Sequence, residues 1–141
     1  MTRRRRPLVR VALLDAHHAA RLGTQVRLRG EPGLEPVGGA AMPGELWHVL
    51  RRSDPDVVVI ARDAGDESRL EVVRRVRAAF RARVVLVTAD PGEALLLAAR
   101  RAGVSAVVDR GEPPARLAEA VRAAGAEAQG RPAAEPWGLA A

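Results

Sequence analysis

Five short apolar runs alternate with five stretches whose apolar positions recur at three and four residues. Leu8 to Leu14 is rich in Val and Leu with one interruption, Arg10, and reads as a strand buried on both faces. Ala16 to Arg29 follows, with Ala19, Leu22 and Val26 on one side of a short amphipathic helix that Gly30-Glu31-Pro32-Gly33 ends. Leu34 to Val37, continuing toward Ala40, is a weaker second strand. Pro43 opens a helix carrying Leu46, Val49 and Leu50. Ser53-Asp54-Pro55 turns into the third strand, Asp56 to Ile60, and the stretch Asp66 to Arg81 repeats Leu70, Val73, Val76 and Phe80 at helical spacing.

The second half repeats the alternation. Val84 to Val87 is a fourth strand ending at Thr88-Ala89-Asp90. Pro91 opens a helix through Arg101 that Gly103 closes, Ala106 to Val108 is a fifth strand, and Pro114 begins a last helix with Leu117, Ala120, Val121 and Ala124 on one face. Five strand-then-helix units with short connections predict an α/β fold, a doubly wound five-stranded parallel sheet covered on both faces. Beyond Gly125 the chain loses its period. The expected organisation is a basic disordered tail over residues 1–7, one domain over 8–125, and a Pro/Ala-rich tail or interdomain linker over 126–141.

Composition narrows the chemistry. With no cysteine and three histidines, a disulfide framework, a thiolate site and a structural zinc site are all disfavoured. His17 and His18 are adjacent and point different ways along a helix, so they make no chelating pair. No apolar run approaches the roughly 18 residues of a membrane span, and the start of the chain makes a poor signal peptide, so a cytoplasmic location without membrane contact is expected. Net charge is +6, and arginine supplies all 23 strong positive charges. Together with abundant alanine this reads as coding bias more than as a selected surface. The arginines scatter, and Trp47, Phe80 and Trp137 are the only large rings, too few for a stacking platform on nucleic acid. Arg3 to Arg6 offer at most weak, salt-sensitive phosphate contacts. Trp47 reads as core or interface. Trp137, in a proline-rich tail, reads as a ring that docks on the domain or a partner, or as an incidental one.

Open parallel sheets bind ligands beyond the carboxyl ends of their strands. The residues delivered there are Asp15 and Ala16, Ala61 to Asp63, Thr88, and Asp109 with Arg110. A carboxylate, a hydroxyl and a cation suit an anion or phosphoryl site. What fails is the nucleophile, because Ala61 has none. Gly38-Gly39 lacks both the glycine spacing and the lysine of a phosphate-binding loop.

The order of elements and these strand ends resemble the receiver domain of bacterial two-component response regulators, in the subgroup that precedes a helix-turn-helix output domain. The resemblance runs from Leu8 to Ala124. It is carried by VRVALLDAHHAARLG (9–23), SDPDVVVI (53–60), ARVVLVTA (82–89) and RRAGVSAVVDRGEPPARLAEAVRA (100–123). It implies a (βα)5 flavodoxin-like, three-layer sandwich. In that family an aspartate at the end of the third strand accepts a phosphoryl group with Mg²⁺. Here the acidic pair falls on Asp15 and Ala16, the phosphoacceptor on Ala61, the residue giving Mg²⁺ a backbone carbonyl on Asp63, the switch hydroxyl on Thr88, and the lysine after the fifth strand on Arg110. One carboxylate and a stray Asp63 are a weak cation site. Asp15 has three readings open: a residual metal ligand, a partner of Arg110, or a cap on the following helix. Arg110 is expected to lie over the pocket against Asp15 or Asp63.

The resemblance therefore implies an atypical receiver lacking the phosphoacceptor aspartate: no enzyme, no catalytic residue, no bound metal and no cofactor. The expected function is a phosphorylation-independent regulatory and dimerisation module in bacterial signal transduction and transcription control. A stand-alone adaptor that binds a kinase or another regulator without accepting phosphate is the alternative. A small nucleotide-binding enzyme is disfavoured, since no phosphate loop or nucleophile-base pair is found. Self-association is expected through a face that includes Leu95, Leu96 and Leu97, more leucine than one buried helix face requires. DNA contact would require an output domain outside this chain.

Overall fold

Residues 8–131 are described by a computed structural model. Its elements are β1 (Val9–Leu14), α1 (His18–Arg29), β2 (Leu34–Ala40), α2 (Pro43–Ser53), β3 (Val57–Arg62), α3 (Ser68–Ala79), β4 (Arg83–Thr88), α4 (Glu93–Ala102), β5 (Ala106–Asp109) and α5 (Pro114–Ala128). The five strands form one parallel sheet in the order β2-β1-β3-β4-β5. This is the doubly wound arrangement that the alternating pattern predicts. The chain reverses direction across the sheet between β1 and β3, where a crevice opens beyond the strand ends.

Successive strand residues point to opposite faces, and both faces are covered, which is why the strands read as continuous apolar runs. Ala12, Leu14, Val58, Ile60, Val84 and Leu86 pack under α2, α3 and α4. Val11, Leu13, Val57, Val59, Val85 and Val108 pack under α1 and α5. Burying a side chain such as Ile60 or Leu86 contributes about 1.5–3 kcal/mol, whereas an exposed ion pair such as Arg74–Glu71 contributes about 0–1 kcal/mol. The stability therefore sits in these two layers. Pro36, which has no N–H for the ladder, stands where the β1–β2 register slips, so that Val11 faces Pro36 and Ala12 faces Gly38.

The amino ends of the strands are tied together by Asp56. Its buried carboxylate accepts the Arg10 backbone N–H at 2.9 Å and pairs with Arg81 at 3.0 Å. Its own N–H donates to the Arg10 carbonyl, and its carbonyl accepts from the Arg83 N–H. Burial opposes the charge of Arg81, but the hydrogen bonds and charges of Asp54 and Asp56 outweigh it and raise the Arg81 pKa. On the α2–α3 side, Trp47 is half-buried and stacks on Phe80, with ring centroids 6.3 Å apart, while Arg75 lies 4.8 Å over the indole. Trp47 is thus a satellite of the core.

Two elements differ from their sequence pattern. Leu22 and Val26 are 46% and 68% exposed, and the one fully buried residue of α1 is Leu28. The face of α1 turned inward carries Ala20, Thr24 and Leu28, spaced by four, so the larger apolar residues at 22 and 26 fall on the opposite side. The last helix runs on to Ala128, beyond the point where the apolar period fades. Gly125 sits where a Cβ would stand 2.5 Å from a Val9 methyl, which explains a glycine inside this helix. Arg3 to Arg6 and Trp137 lie outside the described residues.

Candidate functional site

The carboxyl ends of β1, β3, β4 and β5 open into a cavity of about 320 Å³ between α1 and α5, and Asp15, Ala61, Asp109 and Arg110 are among its walls. Asp15 is 5% exposed. Its Oδ1 accepts the His17 backbone N–H at 2.9 Å, so Asp15 turns the chain into α1. His17 is the N-cap of α1 and no side chain caps it, so Asp15 closes a turn ahead of the helix instead of capping it, and it makes no pair with Arg110. Ala61 is half-buried and contributes only a methyl group. Ala16 is exposed.

Thr88 stands on the other face of the sheet. In the β3–β4 register it lies opposite Arg62, one residue on from the Ala61–Val87 pair. Thr88 is fully buried, and its Oγ1 accepts from Arg62 Nη1 and from the Asp90 backbone N–H, each at 3.3 Å. Arg62 itself is 4% exposed. Its Nε donates to the Asp66 carbonyl at 3.2 Å, and its Nη2 lies 3.8 Å from the exposed Glu67 carboxylate. Sequence reading passed over Arg62. The signal was present: period two places position 62 on the side of Val58 and Ile60, under helices, where a cation must find partners.

The pairing expected of Arg110 is not formed. Its side chain is exposed and makes no ion pair among the described residues, while its backbone N–H donates to the Thr88 carbonyl at 2.9 Å. Asp63 is held instead by His17, whose Nε2 lies 3.0 Å from Oδ1, with both side chains 59% exposed. The acids after β5 are also engaged locally. Asp109 Oδ1 accepts the Gly111 N–H, and Glu112 Oε1 accepts the Asp109 N–H while Oε2 pairs with Arg116. Arg110 lies within this turn, and its side chain is exposed.

The predicted site residues therefore divide three ways. Asp15, Ala61 and Arg110 line one cavity, Thr88 is bound to Arg62 across the sheet, and Asp63 pairs with His17 on the surface. Mg²⁺ takes near-octahedral oxygen ligation, with carboxylates supplying the protein's share. Among the described residues no group of three or more His, Cys, Asp or Glu side chains converges on one point. Asp15 with one oxygen already engaged, two alanines and a diverted Asp63 do not make that donor set.

The leucine run of α4 is also divided. Leu95 packs on the core, Leu96 is half-buried and Leu97 is 51% exposed. No helix among the described residues is long and apolar enough to cross a membrane.

No protein-family model and no curated protein matches the sequence. Solved structures do. A two-component response regulator of the LuxR family from Aurantimonas sp. SI85-9A1 is 32% identical, with a TM-score of 0.74 over 92% of this chain and 91% of that one. The signal receiver domain of the response regulator NarL from Mycobacterium tuberculosis is 25% identical, with a TM-score of 0.72 over 89% of this chain and all of its own. The response regulator domain of CheB from Thermotoga maritima shares the fold at 19% identity, with a TM-score of 0.74 over 84% of this chain and 96% of that one. With the parallel 2-1-3-4-5 sheet and the acidic end of β1 in place, and 32% identity over most of both chains, this chain belongs to the receiver domains of two-component response regulators, the regulatory modules of two-component signalling.

Proposed function

We propose that this receiver works without phosphorylation, as a regulatory and dimerisation module in transcription control of the subgroup that precedes a helix-turn-helix output domain. One observation carries the reading: the end of β3, where the family holds its acceptor carboxylate, presents Ala61 to the cavity. A methyl group has no lone pair to attack phosphorus. Ala16 removes a second oxygen, and Asp63 faces His17. The Arg62–Thr88 contact supports the same reading, since a hydroxyl already accepting two hydrogen bonds within a fully buried residue is held in place.

The test is incubation with acetyl phosphate and Mg²⁺, followed by intact-mass analysis. The expected result is an unchanged mass. An acid-labile mass gain mapped to this pocket, for instance on Asp63, would overturn the reading.

The adaptor reading, in which the domain binds a kinase or another regulator without accepting phosphate, draws support from α1. Leu22 and Val26 stand one helical turn apart, both exposed, and a partner's apolar surface would cover them.

A further inference from the structure

We propose that the cavity between α1 and α5 is a binding site for a small, largely apolar molecule bearing an amine, with the Asp15 carboxylate as its anchor. The inference rests on the phosphorylation-independent reading and gives that reading an input.

The space follows from the sequence. α1 packs on β1 and β2, and α5 packs on β1, β3, β4 and β5. Where the two helices face each other, α1 offers Ala20, Gly23 and Thr24, and β3 offers Ala61. A Cβ added at Gly23 would meet nothing within 4 Å. Gly23 is itself exposed, so the space is a cleft open to solvent, and about 320 Å³ falls at the small end of ligand pockets.

The lining sets the chemistry. Val59, Val108 and Leu117 make an apolar wall. Asp15 is 95% buried by its 5% exposure, and only one of its two oxygens has a hydrogen-bond partner. The other oxygen has no protein donor and is open to the water of the cavity, which an ammonium group would replace with a charge-assisted bond. An anion at the same depth would meet the Asp15 carboxylate, with the half-buried Arg21 held at the Asp15 carbonyl at 2.7 Å. Asp109 and Glu112 engage their own turn, Asp109 through Oδ1 alone, and unlike the buried Asp15 they stand toward the outside of the cavity, Glu112 exposed and Asp109 half-buried. Arg27 and Arg110 are exposed at the rim, where water and salt screen them. An occupant at free concentration L would bridge α1 to α5 and stabilise the folded form by RT ln(1 + L/Kd), rising with the logarithm of its concentration above Kd.

Tryptamine is a suitable probe, and indole-3-propionate is its anionic counterpart of similar shape. Titration followed by amide chemical shifts should move residues 19–27, Ala61 and the start of α5 saturably, with tryptamine bound at least about tenfold more tightly than the propionate. Asp15→Asn, which keeps an oxygen for the His17 N–H, should erase most of that preference. Gly23→Leu should abolish tryptamine binding without loss of stability, because leucine is the better helix former by close to 1 kcal/mol. No saturable shift at about 10 mM tryptamine, equal affinity for the two probes, or wild-type binding by Gly23→Leu would each overturn the site. The acetyl phosphate experiment fails independently of this one: a mass gain would sink the phosphorylation-independent reading, whereas absent tryptamine binding with an unchanged mass sinks only the ligand site.

Discussion

Arg62 offers the sharpest test of how the strand ends are held. Arg62→Ala removes a side chain whose stem is buried and whose guanidinium reaches Thr88 Oγ1 at 3.3 Å and the Asp66 carbonyl at 3.2 Å. Three buried methylenes contribute roughly 2–2.5 kcal/mol at about 0.8 kcal/mol each. The hydrogen bonds are long, so each falls near or below the lower end of the roughly 1.5–3 kcal/mol range for charged donors. The Glu67 contact adds little, because Glu67 is 82% exposed and the separation is 3.8 Å. Against these gains stands the desolvation of a buried cation, several kcal/mol. The polar part therefore comes close to cancelling, and the stem carries the net effect. Arg62→Ala should lose about 2–3 kcal/mol in urea unfolding, whereas Arg62→Met, which keeps the stem, should lose less than about 1 kcal/mol. The Thr88 methyl should gain rotamer averaging in both variants, read by side-chain relaxation. Equal losses for Ala and Met would refute the division and put the energy in the guanidinium's hydrogen bonds. Unchanged Thr88 dynamics would refute its restraint by Arg62.

Acid unfolding carries a signature from Asp66. The side-chain hydrogen bond from Ser68 leads the causes that lower its pKa, with the Ser68 backbone N–H and nearby arginines adding to it against a burial effect that raises it. Its folded pKa lies below its unfolded one, so its stabilisation is complete above about pH 4 and is lost as pH falls through the folded value. Asp66→Asn should flatten that part of the pH–stability curve, and an unaltered slope would show that Asp66 does not contribute. Self-association through α4 rests on Leu97, 51% exposed. Light scattering at tens of micromolar should give roughly twice the chain mass, and Leu97→Glu should return the monomer. A wild-type monomer at that concentration would move weight to the adaptor reading.

The sheet was legible because a parallel strand covered on both faces must be apolar at every position, and VRVALL, VVVI and RVVLVT say so directly. The inward face of α1 was not legible. Its spacing admits two stripes, and the stripe with larger residues, Leu22 and Val26, is the obvious one; the inner stripe holds Ala20 and Thr24, because a cavity lies there in place of packed side chains. The triple leucine overstated a surface for the opposite reason, since Leu95 fills the core. At the site, which residues occupy the strand ends was readable, but how they pair was not. Asp15, Ala61, Thr88 and Arg110 come from neighbouring strands, yet one step of register separates the two faces. Thr88 therefore meets Arg62 while Ala61 meets the cavity. The turn after β5 satisfies its own carboxylates and leaves Arg110 in solvent.

The alanines at the strand ends fit the proposed function energetically. Carboxylates crowded beyond adjacent strands repel one another unless a cation lies among them. Without one, two such groups about 5 Å apart repel by about 3 kcal/mol at an effective dielectric near 20, and one of them would have to take up a proton. If the pocket holds no metal, as the proposed function has it, each further carboxylate there would destabilise the fold, and an alanine in its place would relieve that repulsion. Ala16 and Ala61 are the two places where relief costs nothing in packing, being exposed and half-buried at the edge of a cavity. Asp15 is the exception because the fold also needs it locally. Its Oδ1 accepts the His17 N–H in the turn ahead of α1, and a hydrogen bond to a charged group contributes about 1.5–3 kcal/mol. Asp15 is thus an acid that the fold itself uses. The two core layers lie beneath the strand ends and do not depend on the chemistry above them, so the scaffold persists with an opening where the acceptor side chain would stand.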